Sequence, residues 1–592
     1  MKFTPLALLA AVSIFILTAC GKDEAPESAG ATGNALLAYA PTGSPYLGGN
    51  LEPTPSEVID GFLQKWEPVT TTLQSQLGSI RTQLENAPDA TDTPHRLALS
   101  LLQELDGKFN RQGLESLGFD LQAHHVVYAL GGAFPVARMG LGDAAALKAT
   151  VQRVLERAGV NAPEVIFAGQ AYWRLDSESL TLGAGESDSP VAIYIAIRED
   201  HLALGVFPDS VAGELLPLFL GTQKPQSSDA ESRLQATSGK YGHTPYFSAL
   251  VDLQLLADQF LAPGTALARA LGSEYAAELE TFGDTCKAEF REIISHAPRL
   301  VMGVTELQPA AIGMQYVVET DSTLAQQLAA LLTDVPGADM QTSRLVDFSF
   351  GINVGALRDL LREKALAIVQ APYQCAKLQD LNERATEGLA QLEQPMPPLV
   401  NNFRGLRVSL SKLSVGQATP ESAEGLIAVH VEQPEMFVGM AQMFLPDLSG
   451  LNLLKGEPPI PLPPNLMPIP DLVAFAALSD TAIGISVGAG EENALKPYLE
   501  SKTPNNGKFL SVSYDTATYL DFTSSLSEGW QDPGQSNAEV VVDAIAGVDQ
   551  EATAREITDA LRQSYKAMAN RSLVSIGFTE NGLVIDSRMT FK

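Results

Sequence analysis

The chain has 592 residues, 45% of them apolar and 18% charged, with a formal net charge of −31. That length exceeds one usual hydrophobic core and asks for two or more domains, while the apolar content excludes global disorder. The acidity argues against a nucleic-acid partner, which needs clustered Lys and Arg, and against lying flat on an anionic leaflet; it suits the solubility of a tethered body.

From the N-terminus, Lys2 precedes an apolar run from Leu6 to Leu17, shorter than the ~20 residues of a membrane span, so it reads as a signal peptide. The run ends in Leu17-Thr18-Ala19-Cys20, which resembles the lipobox of bacterial lipoproteins. By that resemblance Cys20 is the lipidation site: its thiol takes a diacylglycerol, residues 1–19 are cut away, and the new amine is acylated. Acyl chains at ~0.8 kcal/mol per buried methylene would then anchor the protein without a transmembrane helix. Gly21, rather than Asp, implies sorting to the outer membrane in Gram-negative members. The other reading is an ordinary secretory signal in which Cys20 is incidental.

Residues 20–34, with almost no apolar content, read as a flexible tether of roughly 20 Å. Leu36 to Leu51 reads as a strand with a turn. From Pro55 the period becomes helical: Phe62, Trp66, Val69, Leu73, Leu77, Ile80 and Leu84 fall on one face, with Pro68 as a kink. That face is either a core face or a groove for a lipid or partner helix. A second helix spans His95 to Phe109. Strands follow at His125 to Leu130 and Val136 to Leu141, then a helix at Asp143 to Ala158. Further strands are predicted at Val165 to Leu175, Ala192 to Ile197 and Leu202 to Val206, with a short helix near Ala212 to Leu220. A polar loop leads to strand Pro245 to Val251, helical segments to His296, and an antiparallel pair at Arg299 to Glu306 and Ala311 to Val318.

The pattern then restarts. Thr305-Glu306 matches Thr579-Glu580; His201 to Val206 with its following helix matches Thr481 to Val487; Pro135 to Gly159 matches Gly425 to Leu448; Leu36 to Leu51 matches Leu345 to Val354. Four landmarks in one order imply an internal duplication. The expected fold is α+β, with two duplicated domains at 35–320 and 321–592. Each is a largely antiparallel sheet covered by helices, including a helical hairpin. Cys286 and Cys375, the two cysteines besides Cys20, suggest a disulfide between the repeats in an oxidising compartment; the alternative is two free thiols. Gly456 to Pro470 (GEPPIPLPPNLMPIP) must be extended, either as a polyproline-type ligand or as a cover for its own domain.

Gly484-Ile485-Ser486-Val487-Gly488 fits the nucleophile-elbow pattern, but that order needs a histidine after the serine and the last one is His430. The duplication also puts Val206 or Phe207 opposite Ser486. Ile483, Ile485 and Val487 read as the buried side of a strand, with Ser486 on the other. The histidines are scattered, so neither a metal site nor a cofactor motif is expected. With its lipobox, Pro41 to Tyr46 strand lead and Pro372-Tyr373-Gln374-Cys375 hairpin, the chain resembles large lipoproteins of Gram-negative envelopes, a resemblance that brings no activity and no catalytic residues. The expected function is a non-enzymatic binding or scaffold lipoprotein of the outer membrane, facing the periplasm. Its partners would be the membrane, through its lipid, and a protein or hydrophobic ligand. The alternatives are a carrier of lipid or another hydrophobic envelope molecule and, less favoured, a serine hydrolase at Ser486.

Overall fold

The structure, a computed structural model, describes residues 33–86, 93–160, 162–176, 191–336, 344–416, 419–444, 446–464, 472–502, 504–521 and 550–592. The signal peptide, Cys20, most of the expected tether and residues 465–471 of the proline-rich loop lie outside the described residues.

The first half begins with a 3-10 turn, Ala35–Tyr39, then β1 (Tyr46–Gly49), α1 (Ser56–Asn86), α2 (Thr93–Leu105) and β2 (His125–Leu130). It continues through β3 (Phe134–Gly140), α3 (Ala144–Ala158), β4 (Val165–Phe167), β5 (Gln170–Asp176), β6 (Val191–Ile197) and β7 (His201–Pro208). Next come α4 (Asp209–Phe219), α5 (Ala230–Tyr241), β8 (Ser248–Asp252), α6 (Leu253–Leu261), α7 (Ala266–Ser295), β9 (Arg299–Gln308) and β10 (Ala311–Glu319). The second half opens with α8 (Ser322–Ala329), β11 (Val346–Gly351), the hairpin α9 (Val354–Gln370) and α10 (Gln379–Leu392), and β12 (Phe403–Gly416). After it come β13 (Thr419–Val431), α11 (Pro434–Phe444), β14 (Ile460–Pro461), β15 (Ala474–Leu478), β16 (Ala482–Val487) and α12 (Glu492–Leu499). It closes with β17 (Lys508–Asp515), α13 (Gln550–Met568), β18 (Ala569–Thr579) and β19 (Gly582–Phe591).

The chain is an α+β protein, and its described strands pair with one another antiparallel. In space the first half reads β4-β5-β6-β7-β3-β2-β1-β8-β9-β10. The second reads β14-β15-β16-β13-β12-β11-β17-β18-β19, the same order without a partner for β4. The halves are not two separate sheets. β10 pairs with β19 from Ala311↔Thr590 to Glu319↔Gly582, fusing them into one sheet of 19 strands. At the middle of this seam Gln315 opposes Asp586 and donates to its carboxylate at 2.8 Å.

Local chemistry sets the elements. Asp143 caps α3 by accepting from Ala146 N, and Gly159 ends it in the left-handed region at φ 63°. Helix α1 buries its predicted stripe against the protein itself. Phe62, Trp66, Val69 and Leu73 pack on Met568, Tyr565 and Phe591 of the second half, and Leu77, Ile80 and Leu84 on α2. A small pocket lined by Leu77, Leu102 and Leu105 lies between α1 and α2. On the other side of the seam, Cys286 of α7 is bonded to Cys375 ahead of α10, with Cα atoms 4.7 Å apart. Glu289 accepts from the amides of Gln374 and Cys375 at 2.7 and 2.9 Å. Each half thus lends a helix to the hairpin of the other.

Several expectations are corrected. The tether stops short of residue 34: Asn34 is buried, donates to Asn50 O and His125 O at 2.9 and 3.0 Å, and caps the 3-10 turn. Leu36 and Leu37 belong to that turn rather than to a strand. The strand predicted at Val165 to Leu175 is a hairpin, because Ala168 and Gly169 both take positive φ, 50° and 83°. The polar loop before β8 contains α5, anchored by the fully buried Leu234. Thr305-Glu306 lies inside β9, where a bulge at Thr305 shifts the pairing with β10, whereas Thr579 closes the turn between β18 and β19. The proline-rich loop supplies β14, the outermost strand, where missing N–H donors are tolerated.

Candidate functional site

Pairing registers allow the two halves to be compared residue by residue. Leu47 sits between Tyr128 and Leu250, and Leu250 beside Val301. Ser349 sits between Arg407 and Ser511, and Ser511 beside Ser575. Two residues beyond Tyr128 and Arg407 lie Leu130 and Ser409. On one face of the sheet, therefore, Leu47, Leu130, Leu250 and Val301 of the first half are replaced by Ser349, Ser409, Ser511 and Ser575.

The helix crossing that face is common to both halves. Leu215-Leu216-Pro217-Leu218-Phe219 of α4 corresponds to Leu495-Lys496-Pro497-Tyr498-Leu499 of α12. The strand beneath carries a glycine each time, since a Cβ on Gly205 would lie 2.8 Å from the Phe219 ring and one on Gly484 2.7 Å from Leu499. The last-turn carbonyls of each helix need donors, and each half supplies a buried arginine. Arg138 on β3 donates to Leu218 O and Phe219 O at 3.3 and 2.6 Å. Arg407, on β12 at the place of Tyr128, donates to Tyr498 O at 3.0 Å and lies 4.1 Å over the Tyr498 ring.

Arg138 is enclosed. Its Nε donates to the Tyr128 hydroxyl at 3.0 Å, it lies 4.0 Å over the Tyr39 ring, and Nη1 meets His201 Nε2 at 2.8 Å. An arginine can only donate, so Nε2 accepts and Nδ1–H is directed to Asp200 at 2.8 Å. Burial and the Arg138 charge hold the His201 pKa down to about 4, which keeps the ring neutral. Helix α5 and the 3-10 turn seal the face, with Leu36, Leu37 and Leu234 joining Leu47 and Leu250 in one core.

In the second half residues 500–507 lead directly from α12 to β17, where residues 220–247 of the first half include α5. The place of α5 is a cleft of about 270 Å³. Its floor includes Ser349, Arg407, Ser409 and Ser511, and its wall Tyr498 and Ser501. Arg344 and Asp347 stand at one end. Arg344 holds Glu491 at 3.1 and 2.8 Å, and Ser411 donates to the same carboxylate at 2.6 Å. Burial pushes the Glu491 carboxyl up, but these hydrogen bonds outweigh it and leave its pKa below the usual range. Asp347 accepts from Ser409 Oγ and from Arg571 at 2.5 and 3.0 Å. Burial lowers the Arg407 pKa and raises the Tyr498 hydroxyl to about 12. Ser349 and Ser511 are each 4% exposed, and among the described residues neither hydroxyl has a hydrogen-bond partner. Both residues line the cleft, so a polar group placed there lies within reach of their hydroxyls.

The sequence-predicted residues lie elsewhere. Cys20 is outside the described residues, and Cys286–Cys375 braces the seam. Ser486 stands on the fully buried side of β16, 0% exposed, while Ile483, Ile485 and Val487 are half-buried. This reverses the predicted facing, because α12 packs on the Gly484 side. His430 opposes Ala482, four residues from Ser486 along the strand and so about 13 Å away; no serine–histidine pair forms. Burial and the Arg407 charge hold His430 to about 4. Among the described residues no group of His, Cys, Asp or Glu could hold a metal ion, and no helix is long and apolar enough to cross a membrane.

Sequence reading missed Arg344, Asp347, Ser349, Arg407, Ser409, Tyr498 and Ser511. Their signal is the change from apolar to serine at matched positions of the two halves, visible only once strand register is known. No family model, curated protein or solved structure matches the chain.

Proposed function

We propose that the protein is a non-enzymatic binding lipoprotein of a Gram-negative envelope, lipidated at Cys20 and held to the periplasmic face of the outer membrane. In this reading it arose by internal duplication: the first copy is a closed structural body, and the second binds a small polar molecule. One observation carries the binding assignment. Ser349 and Ser511 stand on the floor of a cleft in the place where the first half has a packed leucine core. The shared strand order of the halves supports the duplication, and the lipobox resemblance supports the anchor. A hydrophobic cargo is disfavoured, because it would cover Arg407, Asp347 and the serines without satisfying them.

Two measurements test this. Cys20→Ala should move the protein from the membrane fraction to the soluble periplasmic fraction; retention in the membrane contradicts the anchor. Thermal-shift screening of the full chain in detergent against small polar solutes should find ligands that stabilise the wild type and not Ser511→Leu. Equal stabilisation of both contradicts binding at the cleft.

A further inference from the structure

We infer that the cleft takes a single neutral sugar ring, with its hydroxyls on Ser349 and Ser511 and its C–H face against Leu426 and Pro497. This rests on the binding reading above and names the class of ligand. Ser349 is the direct cross-strand neighbour of Ser511, so the two serines stand on adjacent strands ~4.8 Å apart, a span that two hydroxyls of one ring can bridge. A serine hydroxyl both donates and accepts, as a sugar hydroxyl does, so each serine suits either orientation of its partner. The first half offers nothing comparable, since Leu47 and Leu250 at the same sheet positions are packed in its core.

The charges at the cleft favour neither sign. Arg344 is bidentate with Glu491, Asp347 accepts from Arg571 and Ser409, and Asp347 in turn favours the charged form of Arg407. An entering anion would meet Asp347 and a cation would meet Arg344 and Arg407, so either would compete with attractions already made. The formal charge of −31 on the whole chain works against anions at long range as well. A neutral hydroxylated ring avoids that cost, and the lining suits its two kinds of surface. The serines take its hydroxyls, while Leu426, Ala494 and Pro497 give its carbon skeleton an apolar wall. A volume of about 270 Å³ lies just under the ~300–1,000 Å³ of drug-sized sites and limits the occupant to about one ring.

The test is calorimetric titration of the full chain, in a polyoxyethylene detergent that itself carries no sugar, with glucose, galactose, mannose and ribose, and with glucuronate and glucosamine as charged counterparts. At least one neutral sugar should saturate at one site per chain and bind more tightly than either charged sugar. Ser511→Leu should weaken that binding by about tenfold or more, and Ser349→Ala by about threefold or more. Ser349→Ala removes a hydroxyl without adding bulk, so the test holds even where Ser511→Leu does not fold. Glucuronate or glucosamine binding more tightly than every neutral sugar would overturn the inference while sparing the cleft. Neutral-sugar binding unchanged in both variants would place the sugar elsewhere and overturn the inference. Saturation by none of the six would also overturn it; a polar solute from the thermal-shift screen whose binding Ser511→Leu abolishes would then keep the binding reading, and the lack of any such solute would overturn that reading too.

Discussion

The two halves share strand order, the helix over the sheet and an arginine at that helix's C-terminus, yet one is solid and the other hollow at the same place. In the first half Leu47, Leu130 and Leu250 meet Leu234 of α5; in the second, Ser349, Ser409 and Ser511 face a cleft. Burying a leucine contributes ~1.5–3 kcal/mol, so the exchange of four apolar side chains forgoes roughly 6–12 kcal/mol, comparable with the ~5–15 kcal/mol stability of a whole domain. A half that has given this up needs outside support. The seam supplies it through β10–β19 pairing, packing of α1 on α13, and the Cys286–Cys375 bond. A cleft is tolerated there because the closed half holds its frame.

The largest break in this comparison should come from the disulfide. It closes a sequence separation of 89 residues, worth roughly 4–5 kcal/mol in the chain-entropy description. Reduction, or Cys286→Ser with Cys375→Ser, should lower the denaturant midpoint. By hydrogen exchange the second half should open first. Equal loss of protection in both halves would show that the first lends no support to the second.

Exchanging residues between the halves comes next. Leu250→Ser should destabilise by about 3 kcal/mol or more, since it empties a packed core and buries a hydroxyl there. Ser511→Leu should change stability by less than about 1 kcal/mol, because its side chain extends into open space. Denaturation with a first-half tryptophan probe such as Trp173, which is buried, reads the former. Similar costs for the two exchanges would contradict the distinction between core and cleft.

Acid should weaken both halves through different partners. His201 and His430 are held to about 4, below the ordinary 6.5. Between those values the unfolded chain binds more protons than the folded one. Stability is therefore full above pH 6.5 and falls as pH drops toward 4, by up to ~1.4 kcal/mol per pH unit for each histidine. His430→Gln should flatten only the second-half share of that slope, measured as denaturant midpoint against pH. A pH-independent midpoint from 7 to 4 would contradict neutral burial of both rings.

The smallest effect belongs to the seam's outer ion pair. Arg588 of β19 reaches Glu306 of β9 at 2.6 Å, and both are partly exposed. Arg588→Ala should cost ~0.2–1 kcal/mol and fade with added salt. A larger, salt-independent loss would mean that the seam depends on charge more than on strand pairing.

Much of the fold was legible because periodicity reports local burial. The strands of the β2–β3 and β9–β10 pairs and the stripe on α1 follow their predicted spans closely. Helix α5 was not, since Leu234 is its main apolar anchor within a polar stretch. The cleft was invisible for a different reason: its residues run from Arg344 to Ser511, and single serines on separate strands form no motif until register sets them side by side. Ser486, in contrast, formed a motif and has no access to solvent.

The central claim is that one half is closed and the other binds. Hydrogen-exchange mass spectrometry of the full chain with and without a saturating polar solute from the thermal-shift screen tests it most directly. Ligand-induced protection is expected in residues 346–351, 403–411, 492–501 and 508–515, with none in their counterparts 46–49, 125–130, 209–219 and 248–252. Protection in the first half, or in neither half at saturating ligand, would contradict it.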